Sequence, residues 1–494
     1  MNFAEAAKNE TKFTTTENGA FALNTTSNAL LDFYSVVGAL RKADDNRIFR
    51  LFEEAYKEDP LYAVKALFYA RDIRSGLGER SVFRKLLKYC ADYHKEAIKN
   101  NITLIPEYGR YDDLYSLIGT DLEDLMWDYM KIRFSSDLDA MSNNKPVSLL
   151  AKWVKSADAS SPNTRKLGIY TAKKLGYTVQ DFKKKYKSLR KYIDVTERKM
   201  SANQWGDINY SAVPSRCMLL NKNAFKKHDA ERFYSFSKKA VNGEVKVNSG
   251  TLYPYDIIEQ IPYRFNSNLE DDAGNLDILN AQWNQLPNYV EPGTNAIVVA
   301  DTSGSMTGRP MNSAIALAIY FAQRNTGAYH GLWMTFSENP SFQTIKGERL
   351  EQIIDAMNFW GWGLNTDMEA AFDLILDTAI ENKVPQEDMP KSIIVISDME
   401  IDTATWGTGR TWTFYDKMSA KYETYGYEIP NVVFWNVKSS HDVYHSDATR
   451  KGVQLISGHS ASSFKNVIDC AGMTPVEAMY NVLNADRYKP ISVW

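Results

Sequence analysis

The stretch AIVVADTSGSM at 296–306 sets five small or branched apolar residues in a row and ends them on an aspartate. A run without polar alternation reads as a strand covered on both faces, as in a parallel sheet with helices on either side. In such sheets the chemistry gathers at the carboxyl ends of the strands. There the chain places Asp301, Ser303 and Ser305 at i, i+2 and i+4, with Gly304 permitting the tight loop. All three offer hard oxygen donors, which suit Mg2+ or Mn2+ in near-octahedral coordination. Three groups do not fill six positions, so a metal reading requires oxygens from elsewhere.

Two segments could supply them. WGWGLNTDMEAAFDLIL at 360–376 is a glycine-containing loop entering a helix, with Thr366 where the helix would begin. KSIIVISDMEID at 391–402 is a second apolar strand ending in Ser397 and Asp398. A DxSxS loop, a later loop threonine and a strand-end aspartate in this order resemble the metal-ion-dependent adhesion site of von Willebrand factor A domains. In that family the two serines and the threonine reach the ion, the aspartates act largely through water, and an acidic ligand group completes the shell. The resemblance implies Asp301, Ser303, Ser305, Thr366 and Asp398 as the site. The competing reading is an ordinary turn, since Asp, Ser and Gly commonly follow a strand. Serine-nucleophile chemistry finds no support, because there is no GxSxG elbow.

With 494 residues, 44% hydrophobic and 24% charged, the chain suits two or three soluble domains. Its three cysteines, Cys90, Cys217 and Cys470, are far apart and form no CxxC, which favours a reducing compartment and disfavours a cysteine zinc site. HDVYH at 441–445 lacks the partners of a zinc site and reads as a surface loop. The N-terminus has no basic start followed by an apolar stretch, so no signal peptide is expected. The longest apolar run, AIALAIYFA at 314–322, is too short to span a bilayer. The expectation is a soluble cytoplasmic protein with no membrane partner.

Residues 1–26 read as a tail ordered only if it docks, and residues 27–285 as helical. Phe83, Leu86, Leu87 and Cys90 fall at i, i+3, i+4 and i+7, and Leu61, Val64, Leu67 and Phe68 mark another face after Pro60. Many helices with short connections suggest stacked pairs in a solenoid or ring. Two prolines and a glycine at 285–295 mark a break, after which residues 292–494 alternate strands (near 296–301, 331–337, 391–397 and 431–437) with helices (near 310–325, 366–382 and 411–425). That alternation implies an α/β part with a parallel sheet, closed by a helix at 475–483.

The formal net charge of −3 hides an asymmetry: residues 151–250 hold 22 basic and 8 acidic residues, a surplus of 14. A surplus of that size is where a polyanion would bind. Within it, Arg165, Lys166, Lys173, Lys174, Lys183, Lys184, Lys185, Lys187, Arg190 and Lys191 interleave with aromatics including Tyr186. Cations would neutralise phosphates while rings stack on unpaired bases. The alternative is a solvated helix face with its aromatics in the core.

RDIRSGLGER (71–80), IPEYGRYDDL (105–114), LAKWVKS (150–156), VPSRCML (213–219), HDAERF (228–233) and SDMEID (397–402) resemble domain of unknown function family 2828, found in phages, large viruses, fungi and plants. If the chain is of phage or viral origin, its cytoplasm is that of the host. A helical-repeat part followed by a von Willebrand A part also resembles the Ro autoantigen family, whose helical module is called TROVE, and EYGRYDDL resembles a segment of it. That resemblance implies HEAT-like helices binding small structured or misfolded RNA. The leading expectation is therefore a non-enzymatic RNA-binding protein whose divalent ion holds an acidic protein ligand. The alternative is a metal-dependent interaction or assembly scaffold without nucleic acid. A metal-dependent phosphodiesterase ranks third, for want of a denser acidic cluster and a general base.

Overall fold

Helix boundaries in the first half follow local chemistry. The computed structural model describes residues 12–261, 273–336, 339–357, 367–402, 413–470 and 472–494. A short antiparallel hairpin, Phe13–Thr15 (β1) and Phe21–Leu23 (β2), precedes the helices. Asp44 caps helix Asp45–Glu58 by accepting from the amide of Arg47. Asp59 caps helix Pro60–Arg71 in the same way, with Pro60 in the first turn as expected. Helix Arg80–Tyr93 buries Phe83, Leu86, Leu87 and Cys90, the face read from their spacing. Among the described residues between 27 and 285 there is no strand. Helices Ser215–His228, Ala230–Val241 and Ala273–Asn284 close a smaller core of their own around Phe225, Phe233 and Ile278.

The second half winds into one sheet of Ala296–Asp301 (β3), Leu332–Phe336 (β4), Ser341–Thr344 (β5), Ser392–Ser397 (β6), Asn431–Asn436 (β7) and Val453–Ser457 (β8). Their spatial order is β5-β4-β3-β6-β7-β8, parallel throughout except for the antiparallel edge pair β4/β5. Every residue of β3 is buried, and the period of two divides them between faces. Val298, Ala300, Ile394 and Ile396 pack with helix Arg309–Arg324, whereas Ile297, Val299, Ile393 and Val395 pack with helices Met368–Asn382 and Phe414–Thr424. The chain leaves β3 for one side of the sheet and returns to β6 on the other. Their carboxyl ends therefore flank a switch point, where open α/β sheets bind ligands.

The two halves share their core. One hydrophobic cluster runs from Leu30, Phe33 and Phe52 through Leu455 to Met479 and Leu483. Arg487 donates to Asp72 at 2.7 Å, and Asn101 exchanges two hydrogen bonds with the backbone of Ser492. The join at 285–295 is held as well: Tyr320 donates its hydroxyl to the carbonyl of Pro287 at 2.5 Å and accepts the amide of Tyr289 at 3.0 Å. Residues 12–25, expected to order only on docking, do dock, with Leu23 and Tyr444 exchanging backbone hydrogen bonds of 2.9 Å. Among the described residues no helix is long and apolar enough to cross a membrane.

The seam between the halves is tight at Gly38. Its amide donates to Ser457 Oγ at 3.0 Å, and a Cβ there would stand 2.7 Å from Gly458 Cα. Gly38→Ala should therefore cost about 1–3 kcal/mol through overpacking, read by calorimetry as a lower Tm. An unchanged Tm would show that the seam yields freely.

Candidate metal-ion site

β3 delivers Asp301 to the switch point and buries it completely. Both carboxylate oxygens are engaged: Oδ1 accepts the amide of Ser303 at 2.8 Å, and Oδ2 accepts the hydroxyl of Ser397 at 2.6 Å. Burial, and after it the charge of Asp398, pushes the Asp301 pKa up to about 7, against the hydrogen bonds of Ser303 and Ser397. Asp398, just beyond β6, is also buried; its Oδ1 accepts the amide of Glu400 at 3.3 Å. Ser303 is buried and Ser305 exposed, with their hydroxyl oxygens 3.1 Å apart.

That separation is a hydrogen bond between the hydroxyls, and it is also close to the edge of about 2.8–3.0 Å between adjacent octahedral ligands at about 2.0–2.1 Å. The structure thus brings Asp301, Ser303, Ser305 and Asp398 together, whereas Thr366 lies outside the described residues. No group of three or more His, Cys, Asp or Glu side chains suited to a metal occurs among the described residues. A metal here would depend on the hydroxyls, which fits a hard ion and not zinc.

The pattern did not point to Lys438. It follows β7, and its Nζ donates to the carbonyl of Ser305 at 2.9 Å and lies 3.5 Å from Asp398 Oδ2. The fold thus sets an ammonium beside the cluster. The SDMEID loop is held firmly too. Met399 has φ 68°, uncommon for a residue with a side chain. Its amide donates to Ser397 Oγ at 3.0 Å, and its carbonyl accepts from His445 Nε2 at 3.0 Å. Buried Glu400 accepts the amide of Glu17 at 2.7 Å, while Thr16 donates to the carbonyl of Ile401 at 2.7 Å. The N-terminal hairpin therefore clamps this loop.

HDVYH, expected as a surface loop, is mostly interior: Val443, Tyr444 and His445 are buried. Burial holds the His445 pKa down, at about 4, so the ring is neutral at physiological pH. His441 is exposed, with Nδ1 3.1 Å from Glu400 and 3.5 Å from Glu17, and Asp442 is half-buried.

The basic stretch divides between surface and core. Arg165, Lys166, Lys173, Lys184 and Lys191 are exposed, and Lys183 and Lys185 are half-buried. Lys174 pairs with Asp124 at 2.9 Å and Lys187 with Asp158 at 2.6 Å. Arg190 donates to the carbonyls of Ala151 and Val154. Tyr186 is only 1% exposed, its hydroxyl held by Asp158 and Ser156. This corrects the expected stacking role, because a ring packed against Phe182 inside the fold cannot receive a base.

Residues 16–128 and 147–292 match a domain of unknown function, DUF2828. The chain belongs to the DUF2828 family. In this DUF2828 member, residues 295–489 match a second domain of unknown function, DUF7788, which contains the whole strand-end cluster. Uncharacterized protein L728 of Acanthamoeba polyphaga mimivirus is 27% identical over 523 residues, covering 97% of this chain and 88% of the relative.

The raised pKa of Asp301 has a defined sign. The folded state of the metal-free protein binds this proton more tightly than the unfolded state, so the contribution to stability is full below about pH 4 and is lost as pH rises through about 7. Asp301→Asn, close in shape but uncharged, should raise the metal-free Tm at pH 8 by more than at pH 4.5. Equal shifts at both pH values would exclude the buried charge as the cause.

Proposed function

We propose that this DUF2828 protein is a non-enzymatic binding protein: a helical scaffold joined to a von Willebrand factor A-like part whose strand-end cluster holds Mg2+ or Mn2+. Ser303, Ser305, Asp301 and Asp398 would hold the ion, with Thr366 as the proposed fifth residue. The bound ion would supply positive charge and an open position for an acidic side chain of a protein partner. The observation that carries this reading is the 3.1 Å serine pair beside two buried carboxylates at the switch point. A Ser–His contact exists elsewhere, from Ser313 Oγ to His459 Nδ1 at 2.9 Å, but both residues are buried and burial lowers the His459 pKa to about 3. This favours a packing role over an activated nucleophile.

RNA binding by the helical part, small structured or misfolded RNA as the Ro resemblance implies, is the second component of the proposal. It is supported by the surplus of 14 positive charges over residues 151–250 and by the exposure of Arg165, Lys166, Lys173, Lys184 and Lys191. The scaffold alternative gains from the burial of Tyr186 and the internal use of Arg190. A cytoplasmic setting, the host's if the chain is viral, is proposed from the three buried cysteines, none of them in a disulfide among the described residues, and the mimivirus relative.

Titration calorimetry with Mn2+ on the full chain tests the metal site. Asp301→Ala and Asp398→Ala should each strongly weaken binding, because each leaves a single carboxylate beside neutral hydroxyls to offset dehydration of the ion. Lys438→Ala should tighten it severalfold by removing a competing cation from the cluster. Unchanged affinity in both aspartate variants would defeat the metal reading. Weaker binding in Lys438→Ala would reverse the role given to that lysine.

A further inference from the structure

Positive charge is out of balance where residues 71–84, 105–114 and 150–156 meet. Asp113, fully buried, accepts from Arg71 at 2.8 Å, from Arg84 at 2.6 Å and from the amide of Arg110 at 3.0 Å. Asp112 accepts from Arg110 at 2.8 and 2.9 Å and forms ion pairs with Arg84 at 2.9 Å and Lys155 at 3.8 Å. Exposed Arg80 has no carboxylate within ion-pair distance among the described residues. Neighbouring acids are committed: Glu79 to Arg41 at 2.7 Å, and Asp158 to Lys187 at 2.6 Å. Four cations therefore share two carboxylates, and Arg80 stands beside them as a fifth.

A purely internal network would need only the buried pair Arg71 and Asp113, whose loop approaches so closely that a Cβ on Gly109 would stand 2.3 Å from Asp113 Oδ2. The other cations reach solvent, with side-chain exposures of 30% for Arg84 and 28% for both Arg110 and Lys155. Arg110 is fixed from behind by the Trp153 ring, 4.0 Å from its guanidinium carbon to the ring centroid. These cations feel one another. Burial and then the charges of Arg110 and Arg84 lower the Arg80 pKa. Burial lowers that of Lys155, where the repulsion of Arg84, Arg110 and Arg80 adds to it and Asp112 opposes it.

We propose that Arg80, Arg84, Arg110 and Lys155 form a binding site for a phosphate group, with an RNA strand as its source. Guanidinium forks suit the paired oxygens of phosphate, and an anion placed among the four would relieve their repulsion. The proposal deepens the RNA reading above, on which it rests only for the source of the phosphate. It also moves the contact away from the 165–192 stretch, whose aromatic partner is buried.

The test measures binding of labelled single-stranded polyuridine by the full chain across a salt series, with pyrophosphate titrated separately by calorimetry. Arg80→Gln/Lys155→Gln should weaken RNA binding at least about tenfold and lower the log–log salt slope by about 1.4, at roughly 0.7 per lost phosphate contact on a single strand. Lys131→Gln/Lys145→Gln, which removes the same charge from exposed positions outside both the cluster and residues 151–250, should leave that slope unchanged. RNA binding that is unaffected in the first variant, or equally affected in both, overturns the site and leaves the RNA reading standing. Binding of pyrophosphate but not RNA, lost in the first variant, keeps the site and removes RNA as its ligand. Binding of neither overturns both. If the double variant melts early, Arg80→Gln alone serves, since Arg80 has no ion pair to lose.

Discussion

A parallel sheet must be covered on both faces along its whole width, and in this chain the second half does not supply all of that cover. The connection from β7 to β8, residues 437–452, forms a loop and no helix. At that end helix Ala29–Val36 packs onto β8, alongside helix Pro475–Leu483. The helical half therefore completes the core of the α/β half. With that helix fixed, the preceding hairpin falls across the SDMEID loop, where Thr16 and Glu17 bond to Ile401 and Glu400. A packing requirement at one edge of the sheet thus fixes the surroundings of the strand-end cluster.

Those surroundings matter because the cluster is electrostatically costly. An Asp301 pKa raised from 3.8 to about 7 corresponds to about 4 kcal/mol against the charged form above neutral pH in the absence of a cation, a large share of a typical folding free energy of about 5–15 kcal/mol. Ser397 and the Ser303 amide offset part of the burial cost, and the Lys438 ammonium lies close enough to Asp398 to offset part of its charge. A loop left free would open to hydrate these carboxylates. The hairpin contacts, the His445 bond to Met399 and the buried Glu400 hold it in place.

What was legible in the sequence followed from how local its cause is. β3, β4, β6 and β7 showed because fully buried strands are written as apolar runs. β5, SFQT, is a half-exposed edge strand, and β8 carries Gln454, whose amide is satisfied internally by the carbonyl of Cys470 at 2.5 Å, so neither made a continuous run. The DxSxS loop was readable as a local pattern. Lys438 was not, because its place depends on β7 lying beside β6, a fact of strand order that no short stretch records. Tyr186 did carry a usable signal: Phe182, Tyr186 and Leu189 fall at i, i+4 and i+7, the spacing of one helix face, and all three are buried. The separation into a helical and an α/β part showed in the residue pattern, but their common core did not, since pairs such as Gly38 and Gly458 are far apart in the chain.

The two charged regions resolve their imbalance differently. At Asp301 and Asp398 the fold keeps an ammonium of its own nearby, so the proposed cation would have to displace or coexist with Lys438. Around Arg80 the carboxylates of Asp112 and Asp113 offset only part of the positive charge, which leaves a surplus for the proposed anion. A ligand that binds only the folded state stabilises it by RT ln(1 + [L]/Kd). Because one core joins the helices, β8 and the C-terminal helix, stabilisation at either region would register in the unfolding of the shared structure. Shared stabilisation is not coupling between sites. For one ligand to change the affinity for the other, the protein needs a second conformation that each distinguishes, and a seam packed glycine against glycine at Gly38 and Gly458 favours a single arrangement, in which the two proposed ligands would act independently.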